Sequence, residues 1–166
     1  AFAPPTFKGG SGESGPFPIG EPDELKNCPQ FDSGVQEAGK ENRPIFLDFT
    51  GVNCINCRKM EKILAAPHNH ERRKQLVRVQ LYTDAVPNTS DSALAKKILE
   101  ENRKRQEEWF QDVTLPAYAV VTPDGKTLLS KYEGLELQQG EFAKFLDEGV
   151  AAWKQQAANP RQTAAR

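Results

Sequence analysis

The feature that most constrains the fold is a nearly continuous apolar run, IFLDF at residues 45–49, followed at once by a helical pattern. A strand that is apolar at almost every position is typical of a sheet covered on both faces, as in α/β proteins. After the turn residues Thr50 and Gly51, apolar residues recur at helical spacing over residues 54–65, and Pro67 ends the pattern. The sequence therefore predicts a buried strand that leads directly into an amphipathic helix.

Further elements extend this pattern in both directions. Helices are predicted at residues 31–42, 91–110 and 142–153, and strands at residues 76–82, 117–122 and 127–132. Pro123, Asp124 and Gly125 separate the last two strands and predict a hairpin. Because helices join the first strands and a hairpin follows, the order predicts an α/β fold with a central mixed sheet and helices on both faces.

Composition sets the limits of the domain. Residues 1–24 are crowded with Pro, Gly and Ser and predict a flexible linker, whereas the polar residues 157–166 predict a disordered tail. Residues 25–156 are then a single predicted domain, since one core typically serves about 100–150 residues. The net charge of -1 argues against nucleic acid as a partner. No apolar run approaches the roughly 18–20 residues that span a bilayer.

Cys54 and Cys57 lie at the start of the predicted helix, in FTGVNCINCRKME. Such a pair is half of a zinc site, an inert disulfide or a redox centre, and the three cysteines of the chain provide no second pair for zinc. The partial positive charge of a helix N-terminus stabilises a thiolate. The position therefore favours a redox pair in which Cys54 attacks and Cys57, one turn further in, resolves.

The segment IFLDFTGVNCINCRKME resembles the active-site strand, loop and helix of the thioredoxin superfamily. Within it, the segment most resembles the C-terminal periplasmic domain of thiol:disulfide interchange protein DsbD and its single-domain relatives. The resemblance covers roughly residues 31–154 and implies a thioredoxin fold that transfers electrons by dithiol-disulfide exchange without a cofactor. It also implies protein disulfides as substrates, a periplasmic or other extracytoplasmic location, and a membrane domain of the parent chain as tether and electron donor. It leaves the oligomeric state open.

The resemblance assigns catalytic roles to two acids. Asp48 lies where thioredoxin-like proteins place a buried carboxylate beneath the active-site disulfide; the alternative is a charge exposed at the end of a strand. Glu61 lies one helical turn after Cys57, where DsbD-like domains carry an acid; the alternative is a solvated helix face. A buried carboxylate near a thiol exchanges its proton and also disfavours the thiolate.

The resemblance also identifies a substrate-binding loop. Pro116 falls at the position of the cis-proline of the family, where it would present the backbone of Leu115 to a substrate chain. The alternative is an ordinary trans proline ahead of a strand. A charged, mostly solvated helical insert, residues 88–113, leads into this loop; we expect it to be passive, the alternative being a part in partner choice.

The departures from the family leave the direction of electron flow open. Ile55 and Asn56 separate the cysteines, and Val52 and Asn53 replace an aromatic residue that usually precedes the first one. We expect a reductant of extracytoplasmic protein disulfides. The alternatives are a disulfide oxidase or isomerase, and a binding module of the same fold whose cysteines are incidental.

Three residues are expected to lie outside this chemistry. Cys28 is predicted to be a small inert side chain, the alternative being a regulatory or intermolecular disulfide. His68 and His70, in PHNH, are predicted to be surface residues rather than metal ligands.

Overall fold

The computed structural model describes residues 27–28 and 30–160. The predicted linker and residues 161–166 of the predicted tail lie outside this range. Within it, one five-stranded sheet has the order β1-β3-β2-β4-β5. The strands are β1 Asn27–Cys28, β2 Ile45–Thr50, β3 Val77–Tyr82, β4 Ala117–Val121 and β5 Leu128–Glu133. Strands β1, β3 and β2 are parallel, and β4 and β5 are antiparallel to their neighbours, so the predicted mixed sheet is confirmed.

The four predicted helices are present in the predicted order, and a short α-helix and a 3-10 helix that were not predicted lie after the second of them. The helices are α1 Phe31–Glu41, α2 Ile55–Leu64, α3 His70–Lys74, α4 Ser92–Phe110 and α5 Glu141–Ala158, with a short 3-10 helix at Pro67–Asn69. Helix α5 includes the first two residues of the predicted tail, so the boundary at residue 157 is wrong. Its apolar stripe ends near Trp153, but Ala and Gln continue the helix until the Asn159 N–H bonds to the carbonyls of Gln155 and Gln156.

Each face of the sheet carries its own apolar core. Helices α1 and α4 cover one face, where the buried residues are Ala38, Ile45, Leu47, Phe49, Val77, Val79, Leu81, Phe110, Ala117, Ala119 and Val121. Helices α2 and α5 cover the other, where they are Phe46, Met60, Leu64, Leu76, Tyr118, Val120, Phe142, Phe145, Leu146 and Val150. Since α2 follows β2 directly, its first turn lies at the end of the central strand.

Strand β3 is buried on both faces, although its sequence alternates apolar and polar residues. Val77, Val79 and Leu81 face the α1 side. Arg78 and Gln80 are also buried, because α2 covers the opposite face. Polar side chains in the middle of a sheet require partners, and the partner of Arg78 belongs to the candidate site.

Close packing of α1 on β3 gives a first prediction. A Cβ atom added at Gly34 would lie 2.0 Å from Cγ2 of Val79, so Gly34→Ala overpacks the core. We expect it to lower the free energy of unfolding by about 1–3 kcal/mol in urea denaturation. Gly39→Ala is the matched control, because an added Cβ there meets nothing within 4 Å and raises helix propensity by about 0.5–1 kcal/mol. Equal effects of the two changes would contradict the packing.

Candidate active site

The loop between β2 and α2 is held by one carboxylate. Asp84 accepts hydrogen bonds from the backbone N–H groups of Val52 at 2.8 Å and Asn53 at 3.0 Å. Gly51 packs closely against it, because an added Cβ would lie 2.7 Å from Oδ2 of Asp84. Partial burial raises the pKa of Asp84, but the N–H donors of Asn53, Val52 and Ala85 outweigh it, and the net pKa is lowered. Asp84 therefore fixes the residues that precede Cys54.

The Asp84 contacts predict a pH-dependent stability. Because the folded-state pKa is lowered, the stabilisation is present above the unfolded value of 3.8 and is lost as the pH falls through the folded value. We expect Asp84→Asn to lower the free energy of unfolding at pH 7 by about 1 kcal/mol. Urea denaturation measures this, and the difference from the unchanged protein should vanish in strong acid. A difference that persists there would show that the carboxylate charge is not the cause.

Cys54 and Cys57 form a disulfide at the start of α2, with an S–S distance of 2.11 Å and Cα atoms 5.2 Å apart. Cys54 is the N-cap residue, and its sulfur accepts a hydrogen bond from the Cys57 N–H at 3.1 Å. Cys57 is 1% exposed, whereas Cys54 is half-buried. The outer sulfur therefore faces both the helix N-terminus and solvent, and the inner one is covered.

Asp48 lies in the core on the α2 side of the sheet. It is 2% exposed, so the alternative of a solvated strand-end charge is wrong. Its carboxylate forms an ion pair with Arg78, which is 0% exposed. A buried charge is tolerated only when it is paired, so each of these two residues accounts for the burial of the other.

Glu61 is also buried, on the face of α2 that carries Cys57. It is 8% exposed, so the solvated-face alternative is wrong. Its Oε1 lies 3.0 Å from Nη1 of Arg58, whose Nη2 donates to Oγ1 of Thr50 at 3.0 Å and to the carbonyl of Gly51 at 2.8 Å. Burial raises the pKa of Glu61; the charge of Arg58 opposes this.

Two phenols border the carboxylates. Tyr118 is the β4 neighbour of Asp48 in the sheet, and Tyr82 ends β3. Burial raises the pKa of both hydroxyls, and the negative charges of Asp48 and Glu61 raise it further. Both therefore stay neutral at physiological pH, and the charges of the cluster are those of the two acids and the two arginines.

The Leu115-Pro116 peptide bond is cis, as predicted. The Pro116 carbonyl accepts a hydrogen bond from the Gly134 N–H at 2.9 Å. Leu115 approaches the loop before Cys54, since an added Cβ at Gly51 would lie 3.0 Å from its Cδ1. The structure thus brings the predicted substrate-binding loop against the segment that holds the disulfide.

The helical insert is fixed at its C-terminal half. Asn102 donates from Nδ2 to the carbonyl of Tyr82 at 2.9 Å, and Gln106 donates from Nε2 to the carbonyl of Thr114 at 2.8 Å. These two side chains are buried, whereas most of the helix is exposed as predicted. Helix α4 therefore links the end of β3 to the segment that enters the Pro116 loop.

Three site residues were missed at the sequence level. Arg58 directly follows Cys57 and lies three residues before Glu61, so helical spacing alone could have paired it with that acid. Arg78 lies at a polar position of a strand that alternates apolar and polar residues, a pattern that indicates a solvent-facing side chain rather than a buried one. Asp84 follows that strand and carries no local signal for its contacts with the loop.

The remaining candidates lie away from the site. His68 is exposed, and Nε2 of His70 lies 3.5 Å from Oε1 of Glu71. In the described part of the chain, no three His, Cys, Asp or Glu side chains cluster as metal ligands would. The Cys28 side chain lies outside the part that the structure describes.

None of the helices within residues 30–160 combines the length and apolar character needed to cross a bilayer.

A disulfide at the start of the helix that follows the central strand, with a cis-proline loop beside it, defines the thioredoxin-fold class of thiol-disulfide oxidoreductases. The family model described as a thioredoxin-like domain matches residues 31–149. The chain therefore belongs to the thioredoxin-like domain family, and the predicted thioredoxin fold is confirmed.

Similar solved structures include two that share this fold with TM-scores above 0.5. A thioredoxin from Thermus thermophilus has a TM-score of 0.55 at 15% identity, with 75% of this chain and 86% of that chain covered. An oxidoreductase named DsbH has a TM-score of 0.54 at 18% identity, with 87% and 95% covered. The oxidised C-terminal domain of DsbD from Neisseria meningitidis has a TM-score of 0.45 at 22% identity, with 71% and 91% covered. No curated protein matches the chain.

Proposed function

We propose that this protein reduces protein disulfides, with Cys54 as nucleophile and Cys57 as resolving thiol. The observation that carries the proposal is the unequal burial of the two sulfurs at the start of α2. A substrate disulfide can approach the half-buried Cys54, which has the hydrogen-bond donor and the helix N-terminus beside it. Cys57 is covered, so it meets only a sulfur already bound to Cys54.

The reaction takes two exchanges. The Cys54 thiolate attacks one sulfur of the substrate disulfide, which forms a mixed disulfide and releases the other substrate sulfur as a thiolate. Cys57 then loses its proton and attacks the Cys54 sulfur, which closes the Cys54-Cys57 disulfide and releases the second substrate thiolate. Both substrate thiolates take up protons, so the enzyme dithiol is oxidised as the substrate disulfide is reduced.

The charges around the site favour a reductant over an oxidant. A dithiol enzyme becomes strongly oxidising when its reduced form is stabilised, as by a cation beside the thiolate. Here the guanidinium groups of Arg58 and Arg78 are each paired with a carboxylate. The negative charges of Asp48 and Glu61 also disfavour a thiolate nearby.

The reduction potential tests the proposed direction. The protein is equilibrated with glutathione buffers, quenched with an alkylating agent and analysed by mass. We expect a value near the roughly -270 mV of thioredoxin rather than the roughly -120 mV of strong oxidants. A strongly oxidising potential would favour an oxidase or isomerase. A Cys54→Ser, Cys57→Ser double variant that kept full biological activity would instead favour a binding module.

We further propose that the substrates lie outside the cytoplasm and that a membrane domain supplies the electrons. The likeness of residues 45–61 to DsbD-like domains supports both statements. Alkylation of the cysteines in fractionated cells tests them, because reduced protein is expected in the extracytoplasmic fraction. Its redox state should depend on the membrane donor, and recovery of the protein in the cytoplasm would overturn the assignment.

A further inference from the structure

Two buried carboxylates, Asp48 on β2 and Glu61 on α2, differ in the partner that each one contacts. Asp48 pairs with Arg78, and both side chains are buried in the sheet. Glu61 pairs with Arg58, whose side chain is 39% exposed. The two acids are similarly buried, but Glu61 can accept a proton more easily than Asp48. The reason is that water can hydrate its partner Arg58, whereas Arg78 is fully buried.

We propose that Arg78 is a positioning residue for disulfide exchange: it keeps Asp48 as its counter-ion, so that Glu61, and not Asp48, exchanges the proton with Cys57. The inference rests on the proposed function, because it concerns the step in which Cys57 resolves the mixed disulfide. It separates the roles of two acids that the sequence treats alike.

The ion pair of Asp48 argues against proton uptake there. A guanidinium group stays protonated in proteins. If Asp48 took a proton, the Arg78 guanidinium would lose the carboxylate charge that it contacts, which is costly for a fully buried cation. Asp48 therefore serves as the counter-charge throughout the cycle.

For Glu61 the obstacle is smaller, because its contact partner Arg58 is partly exposed. When it takes a proton, Arg58 keeps its hydrogen bonds to Thr50 and Gly51 and exposes its charge to water. Glu61 also shares α2 with Cys57, four residues away and on the same buried face. Burial raises the pKa of Glu61, which brings the carboxyl closer to the range in which it can take up a thiol proton.

The proton balance of the step is simple. The thiol of Cys57 passes its proton to the carboxylate of Glu61, and the new thiolate attacks the sulfur of Cys54 in the mixed disulfide. A bond forms between Cys57 and Cys54, the bond from Cys54 to the substrate breaks, and the substrate leaves as a thiolate. Glu61 then returns its proton to solvent.

Other ionisable groups near Glu61 lie on three strands. They are Asp48 on β2, Arg78 and Tyr82 on β3, and Tyr118 on β4, in addition to Arg58 on its own helix. The phenols remain neutral and Asp48 is held as the counter-ion of Arg78, so the pH dependence of the step reflects Glu61 and Cys57.

Stopped-flow reaction of the reduced protein with dithionitrobenzoate tests the inference, with all variants in a Cys28→Ser background so that the third thiol releases no coloured thiolate. Attack by Cys54 releases the first coloured thiolate, and resolution by Cys57 releases the second. We expect Glu61→Gln to slow the second release about tenfold or more and to move its pH inflection upward, because a positioned base is lost. Asp48→Asn should slow the second release less than Glu61→Gln does and should leave the inflection of its pH profile in place. Glu71→Gln, which removes an exposed carboxylate of α3, is the control.

Variants of Arg78 test its own part. Arg78→Lys keeps the positive charge, so the rate of the second release should keep the pH profile of the unchanged protein. Arg78→Met removes the counter-ion of Asp48 and so allows Asp48 to exchange a proton. The pH profile of the second release should then gain a second inflection. The Arg78→Met, Glu61→Gln double variant should also release the second thiolate faster than Glu61→Gln alone. If Arg78→Met does not fold, the comparison of Glu61→Gln with Asp48→Asn still decides which acid exchanges the proton with Cys57.

The outcomes separate this inference from the proposed function. An Asp48→Asn variant that loses as much rate as Glu61→Gln, or a Glu61→Gln variant with an unchanged profile, overturns the inference. An unchanged protein that gives no second release overturns the proposed function itself.

Discussion

Replacing Cys57 by serine should convert the protein into a trap for its substrates. Cys54 still attacks a substrate disulfide, but no second sulfur can release the mixed disulfide, so turnover is lost and the covalent complex accumulates. Cys54→Ser should lose turnover just as completely without forming the complex. The half-buried Cys54 and the covered Cys57 are the physical reason for this asymmetry.

Non-reducing electrophoresis and intact mass measure the complex formed with a disulfide-containing protein such as insulin. Both variants are made in a Cys28→Ser background, so that the third thiol of the chain cannot capture substrate. Reduction should release the substrate from the complex. Accumulation by Cys54→Ser and not by Cys57→Ser would reverse the two roles.

Much of the fold and of the disulfide site could be predicted because the signals are local. The apolar run of β2 and the helical spacing of α2 follow from neighbouring residues, and together they place Cys54 at the helix start. The cis bond before Pro116 followed from the family resemblance rather than from any local pattern.

The charged partners could not be predicted in the same way. Alternation along β3 shows which residues share a face, but it does not show that α2 covers the face of Arg78. Likewise, Asp84 reaches Val52 and Asn53 only because β2 and β3 end side by side. Such contacts depend on tertiary packing, which sequence periodicity does not report.

The buried ion pair predicts the largest single effect on stability. Arg78→Met should lower the free energy of unfolding by about 3–5 kcal/mol, because it leaves the Asp48 carboxylate buried without its partner. A domain of this size typically has about 5–15 kcal/mol of stability, so the variant should remain folded at 25 °C.

The double variant Asp48→Asn, Arg78→Met separates the cost of an unpaired charge from the worth of the pair. With both charges removed, most of the lost stability should return, since buried pairs contribute little net stability over neutral residues. Urea denaturation measures all three proteins. Arg72→Met is the matched control: its pair with Asp147 is partly exposed, so its loss should cost about 1 kcal/mol or less. If Arg78→Met cost no more than this control, the pair would not be buried as the structure shows.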